Sequence, residues 1–252
     1  HIDGEPPADA TTDAGPGHLV RISLDTPAGA APVAVPGYGT QLQTQAIGAE
    51  PEVDARISYT TSTCNYPDGS TAELRTPQLT FTRWAYGIPP ERMNTSIRIS
   101  PAIVGMGLLV AVPLDQIQLM ADPEDTNGDG ISGRLNQVAT TQGGTAMGRF
   151  GWKAGKASVH DQTVAALDGD MGITTADSHP DQTPELTPIE LADQVFYNRT
   201  IAVPIARYKD HSNAAAGANL FASTGCSSCH TPEWTTGADE VRGLSNQVIH
   251  PF

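Results

Sequence analysis

Cys226-Ser227-Ser228-Cys229-His230 is the stretch that decides the fold, because it is a C-x-x-C-H motif. In this motif two thiols form thioether bonds to a haem, and the histidine that follows becomes an iron ligand. The spacing presents both sulfurs to one porphyrin edge while the imidazole turns beneath the iron. A thioredoxin-like dithiol would need a βαβ context and a zinc site a second ligand pair, and neither context surrounds the motif. We therefore predict a c-type haem held by Cys226, Cys229 and His230.

The composition excludes several classes of function. The 252 residues include 28 acidic and 14 basic side chains, for a net charge of −14, and no Lys/Arg-rich run occurs. A nucleic-acid partner is not expected. The longest apolar stretch, near residues 103–113, is far shorter than the roughly 20 residues of a membrane span, so none is predicted. The 25 glycines and 20 prolines predict long ordered loops.

The cysteines also bear on the cellular compartment. Covalent haem attachment by this motif implies an oxidising, export-linked compartment, so a periplasmic or extracellular location is expected. The third cysteine, Cys64, has no partner within a disulfide framework. The sequence leaves open whether Cys64 is a free thiol or pairs with a thiol of another molecule.

Regular elements are predicted from alternation, turn residues and helix caps. Residues 1–50 are rich in Pro, Gly and Ala and predict extended loop with few regular elements. Residues 53–84 alternate apolar and polar side chains around a turn and predict a β-hairpin. Three helices are predicted: residues 100–112 with Pro101 in the first turn, Thr187 to about Val203 with a capping box, and Ser212 to Ser223 directly before the haem motif.

The segment from Asp125 to Ile131 resembles the first half of a calcium loop. Hard oxygen ligands alternate along it, with a turn-permitting glycine at the sixth position. The predicted ligands are Asp125, Asn127, Asp129 and the backbone carbonyl of Ile131. Position 12 is Asn136, where a bidentate Glu would be expected, and Asp122 or Glu124 could complete the site. The alternative is a solvated turn held by its own side-chain hydrogen bonds.

Several strings together are similar to one family. They are Tyr38–Gln43, Gly105–Leu109, Asp125–Gly133, Gly148–Ala154, Asp170–Thr174, and the C-x-x-C-H motif with Thr231-Pro232 after it. In this order they resemble the di-haem oxidoreductases related to bacterial di-haem cytochrome c peroxidases. Each string is weak alone, and their combination is what makes the resemblance specific.

The resemblance implies a fold and a domain organisation. The fold would be mainly α, with cytochrome c-like haem domains, long ordered loops and a small β-hairpin insertion. The first domain would span residues 1–207, with the insertion at about 53–84 and the calcium-type loop at 125–136, and residues 208–252 would begin an incomplete second cytochrome c domain. Family members carry two haem motifs, and His1 resembles the histidine of the first. The chain would then be an internal portion of a longer protein.

The resemblance also implies catalytic residues. Trp152, Gln162 and Asp170 match a stretch that lies between the haems in the peroxidases, although the peroxidase acid is usually Glu and the spacing to the acid is shorter in this sequence. Asp170 would move a proton between the peroxide oxygens, Gln162 would orient peroxide or water, and Trp152 would relay electrons. The alternative is a core Trp152, a helix-surface Gln162 and a capping Asp170.

The expected function is a periplasmic c-type di-haem oxidoreductase that reduces peroxide or oxidises a substrate. Its partner would be an electron-donor protein or a small redox molecule, and nothing in the sequence indicates an oligomeric state. One alternative is a non-catalytic or structural cytochrome, and another is a calcium-stabilised interaction module. Candidates for a sixth iron ligand are Met120, Met147, Met171, His160, His179 and His211.

Overall fold

The computed structural model describes residues 12–13, 18–27, 32–90, 92–208 and 211–251. The chain divides into two compact units, residues 1–102 and residues 103–252. His1, the residue that resembles a haem ligand, lies outside the described residues. The boundary near residue 207 between two cytochrome c domains stays a prediction.

The first unit is built from antiparallel strands. They are β1 (Thr12–Asp13), β2 (Leu19–Leu24), β3 (Gln41–Leu42), β4 (Val53–Asn65), β5 (Thr71–Trp84) and β6 (Met93–Arg98). One sheet has the order β1-β4-β5 and the other the order β3-β2-β6. Their apolar faces share one core, formed by Val20, Ile22, Val35, Tyr38, Leu42, Val53, Ala55 and Ile57.

Alternation explains the long hairpin of this unit. Val53, Ala55 and Ile57 are buried while the residues between them are exposed, which is the pattern of a strand with one face on the core. Tyr66 accepts a hydrogen bond from Gly69 at the turn, where Gly69 has a φ of 82° that favours glycine. The predicted hairpin over residues 53–84 is confirmed.

The second unit combines helices with short strands. Its helices are α1 (Met106–Ala111), α2 (Leu114–Gln118), α3 (Val159–Met171), α4 (Pro188–Thr200) and α5 (Ser212–Ser223). Its strands pair as two small hairpins, β7 (Gln137–Ala139) with β8 (Thr145–Met147) and β9 (Trp234–Thr235) with β10 (Val248–Ile249). Single 3₁₀ turns occur at Trp152–Ala154, Cys226–Ser228 and Arg242–Leu244.

Local sequence signals predict the positions of two of the three helices correctly. The Thr187 side chain accepts a hydrogen bond from Glu190 N and the Glu190 side chain accepts from Thr187 N, so the predicted capping box is present. Helix α5 has the bounds that were predicted. Helix α1 is shorter than predicted, because Gly105 is left-handed with a φ of 75° and its N–H donates to Ile201 O instead of extending the helix.

The prediction of a mainly α fold is wrong. The structure is 26% helical and 25% strand, with five helices and several small sheets among the residues it describes. One source of the error is residues 1–50, where few regular elements are expected but the strands β1, β2 and β3 form. Strand β2 has only two fully buried residues, Val20 and Ile22, and its main partner β6 lies far along the chain. Such a strand depends on a distant partner and leaves a weak local signal.

No helix in the described ranges combines the length and the apolar character that a membrane crossing requires.

Candidate functional site

The C-x-x-C-H motif forms one tight turn directly after α5. Gly225 has a φ of 84°, which lets the chain reverse at the helix end. The turn is then closed by two hydrogen bonds to Cys226 O, from Cys229 N at 3.2 Å and from His230 N at 3.0 Å. Both thiols are free and exposed. The turn therefore brings two cysteines and the following histidine together without blocking either sulfur.

Helix α5 presents an uncovered apolar surface beside this turn, which suits a large apolar group. The helix is rich in alanine and carries Leu220 and Phe221, yet none of its residues is buried. Leu220 is 61% exposed, and the ring of Phe221 lies 5.9 Å from the imidazole of His230. An apolar helix without a buried face lacks the packing that normally stabilises it. A haem held by Cys226 and Cys229 would supply that cover, so these residues fit the cofactor.

The segment that follows the motif is anchored to the rest of the second unit. Gly237 N donates to Ala111 O at the end of α1, at 2.7 Å. Arg199 on α4 pairs with Asp239 at 2.7 Å and with Glu240. The side chain of Asp239 is only 6% exposed, whereas that of Glu240 is 77% exposed. The part-buried Arg199–Asp239 pair is thus the stronger candidate for holding this segment in place.

Trp152 lies on a 3₁₀ turn and is 49% exposed. The alternative in which this residue belongs to the core is therefore wrong. Just before the turn, Phe150 is buried, and Arg149 donates to three carbonyls at the end of α1 and just beyond it, those of Leu109, Val110 and Val112, each at 2.9 Å. These contacts hold the chain directly before the turn that carries Trp152.

Gln162 lies on the first turns of α3 and faces the Trp152 segment. Its Oε1 would lie 2.9 Å from a Cβ placed on Gly151, the neighbour of Trp152. The preceding residue, Asp161, is buried and accepts hydrogen bonds from Ser158 Oγ, Thr141 N and Thr141 Oγ1. Burial raises the pKa of Asp161, but these hydrogen bonds and the charge of His160 outweigh it and leave the pKa below its ordinary value. Asp161 thereby anchors the start of α3.

Asp170 lies in the last turn of α3 with its side chain exposed. Gln162 and Asp170 are eight residues apart on one helix, which places them about 12 Å apart along its axis. The structure thus brings Gln162 close to the Trp152 segment but sets Asp170 two turns away.

The candidates for a sixth iron ligand have different surroundings. His160 contacts Thr141 through Nδ1 and Asp177 through Nε2, and His179 contacts Gln182 and Asp168 in the same way. His211 Nδ1 caps α5 by accepting from Asn213 N, Met147 is buried, and Met171 is 59% exposed. The sulfur of Met120 lies 3.9 Å from Oγ1 of Thr231, the residue that directly follows the haem motif.

Comparison with protein families decides the affiliation of the chain. The family model described as “Di-haem oxidoreductase, putative peroxidase” matches residues 25–189 and residues 175–252, which is most of the sequence. The chain belongs to this di-haem oxidoreductase family. The affiliation inferred from the sequence motifs is confirmed, and haem is the cofactor that the family name implies. No curated protein and no solved structure matches the chain.

The calcium-type loop of this di-haem oxidoreductase is held by its own hydrogen bonds. Asp125 accepts from Gly130 N, Asn127 from Asp129 N, and Asp129 from Ile131 N. Asp122 accepts from Thr126 and Asn127, which lowers its pKa. Among the residues described, no group of three His, Cys, Asp or Glu side chains is arranged to hold a metal ion. The oxygens fit the solvated-turn alternative, and calcium stays a prediction.

Sequence reasoning missed four positions that organise the site of the di-haem oxidoreductase. Ser158 and Asp161 form a cap at the start of α3, and the S-x-x-D pattern was a visible signal for it. Arg199 and Asn136 gave no such signal. Their partners lie elsewhere in the chain, so only the folded structure identifies their roles.

Proposed function

We propose that this protein is a periplasmic c-type di-haem oxidoreductase that reduces peroxide, or oxidises a substrate, with electrons relayed between two haems. The observation that most supports the proposal is the exposed turn at Cys226–Ser228 beside a helix that has no buried residue. An electron-donor protein or a small redox molecule would deliver electrons at that haem. A second haem, with His1 as an iron ligand, would be the site of turnover.

The residues of the second unit have separate tasks in this proposal. When bound, the haems supply iron that exchanges electrons with donor and substrate. Trp152 offers a half-exposed indole and is the residue proposed to relay electrons. Gln162, whose amide both donates and accepts hydrogen bonds, orients peroxide or water. Reduction of hydrogen peroxide to two waters consumes two electrons and two protons, and Asp170 is the residue assigned to proton movement.

The exposure of Asp170 favours a second candidate function. A proton shuttle works within hydrogen-bond reach of the reacting oxygen, and Asp170 is exposed and two helical turns from Gln162. A non-catalytic electron carrier of the same family would not need that contact. The two functions differ in iron coordination. An enzyme requires one haem iron with a displaceable sixth ligand, whereas in a carrier the sixth position of both irons is occupied. Cyanide binding to the oxidised full-length protein distinguishes them.

The decisive experiment is peroxide turnover by the haem-loaded full-length protein after reductive activation. Asp170→Asn keeps the size of the side chain but removes the proton shuttle, so turnover should fall by roughly 10²- to 10⁴-fold while haem binding is retained. Gln162→Ala should cost less, because water can replace an orienting amide. Asp181→Asn is the matched control, since Asp181 is an exposed aspartate outside the assigned site. Wild-type turnover in Asp170→Asn would favour the carrier function.

A further proposal concerns the compartment. Covalent haem attachment in export-linked compartments supports a periplasmic location. Fractionation of the source cells, followed by haem staining after denaturing electrophoresis, should place the haem-bearing band in the periplasmic fraction. A band confined to the cytosolic fraction would contradict the location without affecting the family affiliation.

A further inference from the structure

Two consecutive residues after Trp152 adopt left-handed backbone conformations although neither is a glycine. Lys153 has a φ of 57° and Ala154 a φ of 50°. The left-handed region is unfavourable for any residue with a Cβ, and such strain persists only where surrounding contacts impose it. Strained backbone of this kind is concentrated at functional sites. The turn that carries Trp152 therefore needs a group that holds it.

Asn136 is the group that holds this turn. Its Nδ2 donates to Lys153 O and to Ala154 O, both at 3.1 Å. Its backbone carbonyl accepts from Gly148 N at 2.8 Å. One residue thus contacts the segment 148–154 at its start through the main chain and at its end through the side chain.

The segment is closely packed at the same place. A Cβ on Gly148 would overlap with the carbonyl oxygen of Ala154, so the two ends of the segment approach as closely as backbones can. Phe150 and Lys156 exchange backbone hydrogen bonds at 2.9 and 3.0 Å, which closes the loop. Trp152 lies between these contacts with its indole half exposed. Asn136 is itself exposed, so its side chain can be changed without creating a cavity in the core.

We propose that Asn136 is a positioning residue that holds the strained turn and thereby the indole of Trp152. The inference rests on the proposed function, in which Trp152 relays electrons between the haems. The rate of such a relay depends on where the indole is held relative to the electron donor and acceptor. Loss of the two side-chain hydrogen bonds should therefore affect electron transfer more than it affects overall folding.

The test compares four variants of the full-length haem-loaded protein. Asn136→Ala removes the side-chain hydrogen bonds. Trp152→Phe shows how far the rate of electron transfer falls when the indole is absent. Adding Ala154→Gly to Asn136→Ala relieves the left-handed strain, because glycine adopts this φ without a Cβ clash. Asn65→Ala, at an exposed position at the end of β4, is the matched control.

Two measurements are made on each variant. Hydrogen exchange of the peptide spanning residues 148–156 reports on the amides of Arg149, Phe150 and Lys156. Stopped-flow spectroscopy gives the rate of electron transfer between the haems. Asn136→Ala should exchange on the order of tenfold faster in this peptide and transfer electrons more slowly. Both effects should be largely reversed by Ala154→Gly and absent in Asn65→Ala.

The outcomes separate this inference from the proposed function. Unchanged exchange in Asn136→Ala overturns the positioning role. If electron transfer is slow in Trp152→Phe but has the wild-type rate in Asn136→Ala, the positioning role of Asn136 is also overturned. The relay role of Trp152 then stands. A wild-type rate in Trp152→Phe rejects the relay instead, and the exchange data then decide alone whether Asn136 holds the turn.

Discussion

The side-chain oxygen of Gln162 lies against Gly151, 2.9 Å from the position that a Cβ on this glycine would occupy. Gly151 has a φ of 71° and a ψ of −175°, a combination that residues with a side chain rarely adopt. The absence of a side chain at this position therefore serves two purposes. It permits the backbone conformation before Trp152, and it leaves room for the amide of Gln162.

Gly151→Ala is expected to displace the amide of Gln162 and to strain the backbone. The strain should lower the free energy of unfolding by about 1–3 kcal/mol, and peroxide turnover should fall with it. Thermal unfolding and turnover of the holoprotein provide the measurements. The control is Gly169→Ala on α3, where an added Cβ meets no atom within 4 Å and should stabilise the helix by about 0.5–1 kcal/mol. A Gly151→Ala protein that melts and turns over like wild type would contradict this prediction.

Asp161 is expected to make the stability of the second unit depend on pH. Hydrogen bonds from Ser158 and Thr141 outweigh burial and hold its pKa below the ordinary value. A lowered pKa in the folded state means that the stabilisation is present above about pH 4, the ordinary Asp range, and is lost as the pH falls through the folded-state value. Asp161→Asn turns an amide N–H₂ toward these donors and should cost about 1–3 kcal/mol at pH 7.

The measurement for Asp161 is urea denaturation at pH 7 and at pH 3. The difference in free energy of unfolding between wild type and Asp161→Asn should shrink at the lower pH, because pH 3 lies below the ordinary Asp range and the unfolded protein takes up a proton at Asp161 more readily than the folded protein does. Asp181→Asn, an exposed change, should stay within about 0.5 kcal/mol of wild type at both values. A constant difference between wild type and Asp161→Asn across this range would show that the charge of Asp161 is not responsible.

The two acidic partners of Arg199 are expected to contribute unequally. The side chain of Asp239 is only 6% exposed and also accepts a hydrogen bond from Val241 N, so Asp239→Asn weakens a largely desolvated pair and should destabilise by about 2–4 kcal/mol. Glu240 is largely exposed, and Glu240→Gln should cost about 0–1 kcal/mol. Guanidinium denaturation of both variants measures the contrast. Equal losses would mean that burial does not control the strength of these pairs.

Calcium removal tests the loop at Asp125–Ile131. If the oxygens of Asp125, Asn127 and Asp129 bind calcium, excess chelator should lower the melting temperature and alter the haem spectrum, and added calcium should restore both. Asp125→Ala should then melt like the chelated wild type and show no response to calcium. An unchanged melt in chelator, with no metal in elemental analysis, would support the solvated turn.

Covalent attachment of haem is tested by Cys229→Ser. This change leaves Cys226 as the only thiol of the motif, so double thioether attachment should be lost and the mass of the haem-bearing peptide should show a single bond. Cys64→Ser is the control, because Cys64 lies on β4 outside the motif, and its haem content should equal that of wild type. Wild-type protein that retains haem while both Cys226 and Cys229 react with a thiol reagent would refute attachment at this motif.

Fold prediction from the sequence succeeded where the signal was local. The capping box at Thr187 and Glu190 lies within one helical turn, and the hairpin turn at Tyr66–Ser70 lies between two alternating strands. It failed where an element depends on a remote partner. Strand β2 pairs with β6 across a long separation in sequence, and the mainly α prediction overlooked both strands.

The candidate site shows the same division. The grouping of Cys226, Cys229 and His230 in one turn follows from their spacing, and the family affiliation follows from short strings that keep their order. Neither depends on how distant segments pack. The proposed assignment of Asp170 came from the resemblance, which carries no information about the side chain's exposure.

The sequence alone determined the haem motif, the family and the helices α4 and α5, because each is encoded by residues a few positions apart. Only the tertiary structure decided that Asn136 holds the turn after Trp152, that Gln162 lies against Gly151, and that Arg199 reaches Asp239. The physical reason is that hydrogen bonds, ion pairs and close backbone contacts act between atoms a few ångströms apart in space. Their partners are far apart in the chain, so no local pattern of residues specifies them.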